Sequence, residues 1–377
     1  MKTLMKMTLL VAVLGMLYAP TAEGRSKTAK RPLIQMAILL DTSSSMQGLI
    51  DQAKSQLWKV VNEFITTKKS GKRPEIQVAL YEYGKSSLPQ GEGYIRQIVA
   101  LTTDLDKVSE ELFALRTNGG SEHCGQVIDQ ATQGLNWSKS NRDLKVIFIA
   151  GNEPFTQGPV DYRKAVKAAI TKGIIINTIH CGSESAGISG KWKDGAILAD
   201  GNFMNIDQNR AVAHIAAPQD KKIAELGAEV NKTYIPYGTR GRESAARQKK
   251  QDSNAESAAP GSMTQRAVFK SSGNYSNAKW DLVDAEKNGV KVEDIKKEEL
   301  PENMRKMSMK ERKAFVNTQA KKRAEVQKKI QKLNAERKKY VADKRKELAK
   351  SNEKDTLDQA MIKSAREQAK KKNFKFD

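Results

Sequence analysis

Ile34-Gln35-Met36-Ala37-Ile38-Leu39-Leu40-Asp41-Thr42-Ser43-Ser44-Ser45 begins as a near-continuous apolar run and ends on a carboxylate followed by hydroxyls. A strand covered on both faces reads this way, because neither face tolerates polar side chains. Directly after it, apolar residues recur at Met46, Leu49, Ile50, Ala53, Leu57, Val60, Val61 and Phe64, the spacing of one helix face. A buried strand that turns into a helix across so short a loop predicts an α/β fold.

The alternation continues outward. Residues 76–83 read as a strand, a Gly/Pro/Ser-rich turn follows, and 95–101 reads as its hairpin partner. Thr103-Asp104-Leu105-Asp106 resembles a capping box opening a helix. After a loop at 117–121, Cys124, Val127, Ile128, Ala131 and Leu135 supply one face of another helix. Strands are predicted at 144–150, 174–179 and 203–206, and helices at 162–171 and 219–232. Over residues 32–237 this order predicts a doubly wound, mostly parallel sheet with one antiparallel edge hairpin. Ligands bind such sheets at the carboxyl ends of the strands. There Asp41, the 117–124 loop, Gly151, Asn152, Glu153, His180 and Cys181 are expected to gather.

The two ends differ from this middle. Residues 1–24 run from basic through apolar to small residues, the order of a secretory signal peptide. The apolar run is shorter than the roughly 20 residues a bilayer-crossing helix needs. No cysteine closely follows it, so lipid attachment at a new N-terminal cysteine is not expected, and a secreted or periplasmic location is. At the other end, residues 238–300 change to Gly, Ser, Ala, Gln and Lys and read as a linker. Tyr275, Trp280, Leu282 and Val283 suit a small docking segment within it. Residues 301–377 read as a basic helical tail, opened by Ser308-Met309-Lys310-Glu311 and restarted at Thr356-Leu357-Asp358-Gln359. Its apolar positions are loosely spaced, and Arg337 and Lys344 interrupt them, which predicts a weakly packed helix and argues against a self-sufficient coiled coil.

The chain of 377 residues has a formal net charge of +22. Residues 301–377 hold 25 Lys/Arg against 11 Asp/Glu, so about +14 of it sits there. Such an excess means acidic partners or simple solvation. Export argues against nucleic acid and leaves anionic envelope polymers or lipid headgroups as partners of the tail.

Asp41-x-Ser43-x-Ser45, at the end of a buried strand and leading into an amphipathic helix, resembles the opening of the metal-ion-dependent adhesion site of von Willebrand factor type A domains. The resemblance spans residues 32–237 and excludes the tail. It implies a ligand-binding, adhesion or assembly module in which Mg²⁺, or Mn²⁺ or Ca²⁺, sits among oxygen ligands and is completed by an acidic group of a partner protein. The sequence departs from the family pattern twice. Where a Thr is customary, Gly119-Gly120 is followed by Ser121 and Glu122. Where an Asp is customary, Ile149-Ala150 is followed by Gly151, Asn152 and Glu153. The expected ligand set is therefore Asp41, Ser43 and Ser45, joined by Ser121 or Glu122 and by Asn152 or Glu153. The competing reading is that Asp41, Ser43 and Ser45 only cap the helix after them.

Cys124 and Cys181 are the only cysteines, each preceded by a histidine. A disulfide is the expected outcome in an oxidising compartment, with two free buried thiols as the alternative. Zinc is disfavoured, since neighbours in a strand point to opposite faces. No phosphate-cradling, HExxH or GxSxG motif is present, so no enzymatic activity is expected. The alternative function is a metal-free structural protein of the cell envelope working through its basic tail.

Overall fold

The computed structural model describes residues 31–209, 214–348 and 356–376. The proposed signal peptide lies outside them. Six strands form one sheet in the order β3-β2-β1-β4-β5-β6: β1 (Leu33–Asp41), β2 (Glu75–Tyr83), β3 (Ile95–Thr102), β4 (Leu144–Gly151), β5 (Ile175–Cys181) and β6 (Phe203–Ile206). All neighbours are parallel except β2 and β3. β1 lies at the centre, which is why its sequence is apolar on both faces. Ile34, Met36 and Leu40 enter the core on one side, Ala37 and Leu39 the core on the other.

The second side is covered by α3 (Cys124–Gly134), α4 (Tyr162–Thr171), α5 (Glu184–Ser189) and α6 (Trp192–Leu198). The first is covered by α1 (Gln47–Asn62) and α2 (Leu105–Ala114), with α7 (Asp220–Asn231) and later helices beside them. Loops carrying the candidate site lie at the carboxyl end of β1, as the topology requires.

Beyond residue 237 the expectations need correction. The predicted linker contains α8 (Gly241–Ala258), α9 (Ser262–Lys270) and α10 (Leu282–Lys287). α8 escapes hydrophobic patterning because it docks through polar contacts. Gln251 accepts from Ser109 at 2.9 Å, Gln248 donates to Tyr275 at 3.0 Å, and Asp252 pairs with buried Arg266 and Lys270 at 2.6 and 2.8 Å. A buried polar network of this kind, in which only the Gln251 Nε2 group goes without a partner, holds a helix without an apolar stripe.

The tail is not a separate, weakly packed unit either. A short turn, α11 (Glu302–Arg305), leads into α12 (Met309–Leu348), which lies across α7, α9 and α10. Arg337, expected to break its seam, is part of the seam and bonds Asp220 at 2.5 Å. The last helix, α13 (Leu357–Lys371), packs on α1 and on β4, β5 and β6. Leu357, Ala360, Met361, Ala365 and Ala369 are buried in the core there. Asn177 of β5 and Gln368 of α13 exchange amide hydrogen bonds of 3.0 and 2.6 Å, fixing the register of helix on sheet. The C-terminal helix thus completes the sandwich.

Candidate functional site

Asp41 ends β1 fully buried, because the strand carries it to the edge of the sheet before the chain turns. Its Oδ1 accepts the Ser43 backbone N–H at 2.7 Å, which closes the turn. Its Oδ2 is buried with no hydrogen-bond partner. A buried carboxylate oxygen without a donor is costly, and this one needs an explanation.

The surrounding atoms are oxygen donors. Ser43 Oγ lies 3.4 Å from Ser45 Oγ, and Asn152 Nδ2 donates to Ser45 Oγ at 3.2 Å. Asn152 Oδ1 is a second buried acceptor without a partner. The Asn152 carbonyl is 3.2 Å from His180 Nε2, which holds the loop after β4 in place. Glu122 is almost wholly buried, its backbone N–H bonded to Gln157, its side chain interacting with Ser43. Ser121 is half-buried beside it. Glu153 is half-buried, and its charge acts on both Asp41 and Glu122.

Charge repulsion and desolvation accumulate here. Burial, reinforced by the charges of Glu122 and Glu153, pushes the Asp41 carboxyl up to about 7 despite the Ser43 N–H. Burial and then Glu153 push Glu122 up to about 7 as well. Burial first and neighbouring carboxylates second thus hold both well above the ordinary carboxylate range.

Two glycines make the packing feasible, Gly151, expected at this end of the sheet, and Gly84, which sequence reading did not assign to the site. Gly84, at φ +80°, follows β2, and a Cβ there would meet Asp41 Oδ1 and Glu122 Cγ, each at 2.8 Å. Gly151 ends β4, and a Cβ there would lie 2.6 Å from Tyr83 Oη and 3.0 Å from Asp41 Oδ2. Backbone thus lies where side chains would fill the space beside the carboxylate. The sequence signal was available, a glycine closing each flanking strand.

The capping alternative fails. The turn Ser44–Met46 and α1 both start without a side-chain cap, so neither Asp41, Ser43 nor Ser45 caps the helix. The donor set suits a hard cation, which takes carboxylate, hydroxyl and amide oxygens. Among the described residues, no three His, Cys, Asp or Glu side chains converge closely enough to hold a metal by themselves. A cation here would depend on the serine hydroxyls and Asn152 beside Asp41, with Glu122 the nearer second carboxylate and Glu153 acting through its charge.

The expected disulfide is absent. Cys124 and Cys181 are both free and buried. Cys124 belongs to the core under α3 and Cys181 to the core on the opposite side of the sheet, because alternation along β5 turns Cys181 away from α3.

Residues 35–188 match the family model of the von Willebrand factor type A domain. No curated protein matches the chain. Among solved structures, proximal thread matrix protein 1 from the mussel byssus is 11% identical at a TM-score of 0.33, over 47% of this chain and 42% of that one. This chain therefore spans less than half of the mussel protein's length. The SpRpn10 VWA domain is 18% identical at 0.35, over 48% and 100%. The conserved hypothetical protein BatB from Bacteroides thetaiotaomicron is 15% identical at 0.35, over 46% and 90%. At such scores these likenesses carry no inference about function. No helix among the described residues is long and apolar enough to cross a membrane.

Proposed function

Taking residues 35–188 as a von Willebrand factor type A unit, we propose that the protein is an exported binding module, for adhesion or assembly, whose ligand docks over a cation held at Asp41. The observation that carries this reading is the partnerless, buried Asp41 Oδ2, with the paired Ser43 and Ser45 hydroxyls following it in the chain and a second partnerless buried acceptor, Asn152 Oδ1, on the Ser45 side chain's partner. Asp41, Ser43, Ser45 and Asn152 would hold Mg²⁺, Mn²⁺ or Ca²⁺, with Glu122 the second carboxylate in reach. The bound cation supplies an electrophilic point for an acidic group of a partner protein.

This chain's residues set how strongly. Asp41 and Glu122 together bring up to two negative charges, so less positive charge is left for the partner than with one carboxylate. Weak, reversible capture fits such a site. Binding rather than catalysis is proposed because none of the motifs recognised in the sequence supplies an activated nucleophile.

Calorimetric titration of the full mature chain with Mg²⁺, Mn²⁺ and Ca²⁺ tests the reading. A fragment ending at residue 237 is unsuitable, because it lacks the α13 side chains that cover the sheet. Wild-type binding that disappears in Asp41→Ala supports the site, and no binding of any of the three ions overturns it. The second reading, a metal-free envelope scaffold, then stands on the basic surface of α12 and α13.

A further inference from the structure

Four cations on two helices share one groove, and none of them is in an ion pair among the described residues. The groove, about 720 Å³, lies between the end of α1, the distal half of α12 and α13. Asp358 pairs with Lys59 and Glu63 with Arg366, while Glu367 accepts from the neutral Asn202 and keeps its charge, so the lining holds seven Lys/Arg against three Asp/Glu. Arg337 is committed to Asp220. Lys338, Arg345, Lys363 and Lys370 line the same groove, and none of them has an ion-pair partner among the described residues.

Their spacing is regular. Lys338 and Arg345 are seven residues apart on α12, and Lys363 and Lys370 are seven apart on α13. Seven residues of helix rise about 10.5 Å and return to nearly the same face. Each helix therefore offers two charges about 10 Å apart along its length, on walls of one trough. Val341, Ile362 and Phe376, all half-buried, give the trough an apolar floor. Lys328 and Lys332 of α12 are exposed and lie outside the groove.

We infer that this groove binds a linear polyanion with phosphate groups along its length, of which an inorganic oligophosphate is the simplest member. Lysine and arginine both bind phosphate oxygens, and arginine does so with two parallel donors. The concavity selects a chain over a surface, since a flat lipid headgroup layer meets the outer faces of α12 and α13 rather than the trough between them. The site also requires the folded protein, because α1 and α13 belong to the sandwich and α12 reaches them only through its docking on α7 and α9.

The test is equilibrium binding of a short inorganic polyphosphate to the full mature chain. Lys338→Gln/Lys363→Gln removes one charge from each wall. Lys328→Gln/Lys332→Gln removes the same charge from α12 outside the groove. All four side chains are exposed, so unchanged melting midpoints are expected for both variants. The groove pair should lose about 30-fold in affinity and the control pair less than about threefold, with wild-type binding weakening as salt rises. Equal losses in the two variants, or binding to phosphatidylglycerol vesicles with none to polyphosphate, would overturn the proposal.

Discussion

Arg323 of α12 and Asp281, at the start of α10, form a two-pronged bridge sealed from water, Nη1 to Oδ2 at 2.6 Å and Nη2 to Oδ1 at 3.1 Å. The same guanidinium donates to the Thr233 hydroxyl and carbonyl at 2.9 and 2.7 Å. Asp281 in turn accepts from the Ile235 and Asp284 N–H groups. One arginine therefore ties the long helix to the end of α7 and to α10. Arg323→Ala should lower stability by about 3–5 kcal/mol, because it leaves Asp281 buried and unpaired. Arg323→Lys should recover little of it, since an ammonium cannot make the paired contact. Urea denaturation showing a loss below about 1 kcal/mol for Arg323→Ala would contradict the bridge as an anchor.

That bridge also marks where sequence reading stopped. The sheet was legible because β1, β4 and β5 bury both faces and must be apolar, and the amphipathic α1 follows with regular spacing. Asp41, Ser43 and Ser45 were legible because, at the end of such a strand, their spacing resembles the opening of an adhesion-site motif. α8 and α12 were not, because their buried positions include Gln248, Gln251, Asp252, Arg323 and Arg337, which a hydrophobic pattern counts as exposed. Gly84 and Gly151 can be seen in the sequence to close their strands, but the space they leave beside Asp41 depends on β1, β2 and β4 lying side by side.

Asp41→Asn should stabilise the cation-free protein while abolishing cation binding. A neutral amide costs less to bury than an unpaired carboxylate pressed by Glu122 and Glu153. The sign of the pH dependence follows from the same strain. Asp41 and Glu122 titrate near 7 when folded and near 4 when unfolded, so between these values the folded state holds more protons. Stability of the cation-free protein should therefore fall as pH rises from about 4 to 7 and level off above. Mg²⁺ should restore the melting temperature at pH 8 and do little at pH 5, where protons occupy the same oxygens. Thermal scans in EDTA that show stability rising with pH across this window would sink the account.

Both cysteines should titrate as free thiols, and only on unfolding. Burial raises each thiol above its ordinary pKa, so little thiolate forms in the folded chain. Opposite sides of the sheet keep them apart even in an oxidising compartment. A thiol reagent should label neither in buffer at pH 8 and both in guanidinium, without prior reduction. Failure to label either in guanidinium would mean that a disulfide exists after all.

The final prediction concerns α13, which lies far from the sheet in sequence yet covers it. Met361 and Leu357 close a small apolar void of about 20 Å³ against Ile38, Leu40 and Leu57. Met361 is only 3% exposed, so truncating it enlarges that void instead of opening it to water. Removing a buried methionine side chain costs the lost transfer energy plus the cavity left behind, about 2–5 kcal/mol. Met361→Ala should lower the denaturation midpoint accordingly. Lys371→Ala, on the exposed side of the same helix, should stay within about 0.5 kcal/mol of wild type. A chain ended before Thr356 should lose its cooperative transition altogether, because Leu357, Met361 and Phe374 leave the core together and each contributes about 1.5–3 kcal/mol. That sum is a large share of the 5–15 kcal/mol that holds a typical domain folded. If the shortened chain instead unfolds cooperatively with a midpoint near wild type, the C-terminal helix is an accessory rather than part of the α/β sandwich.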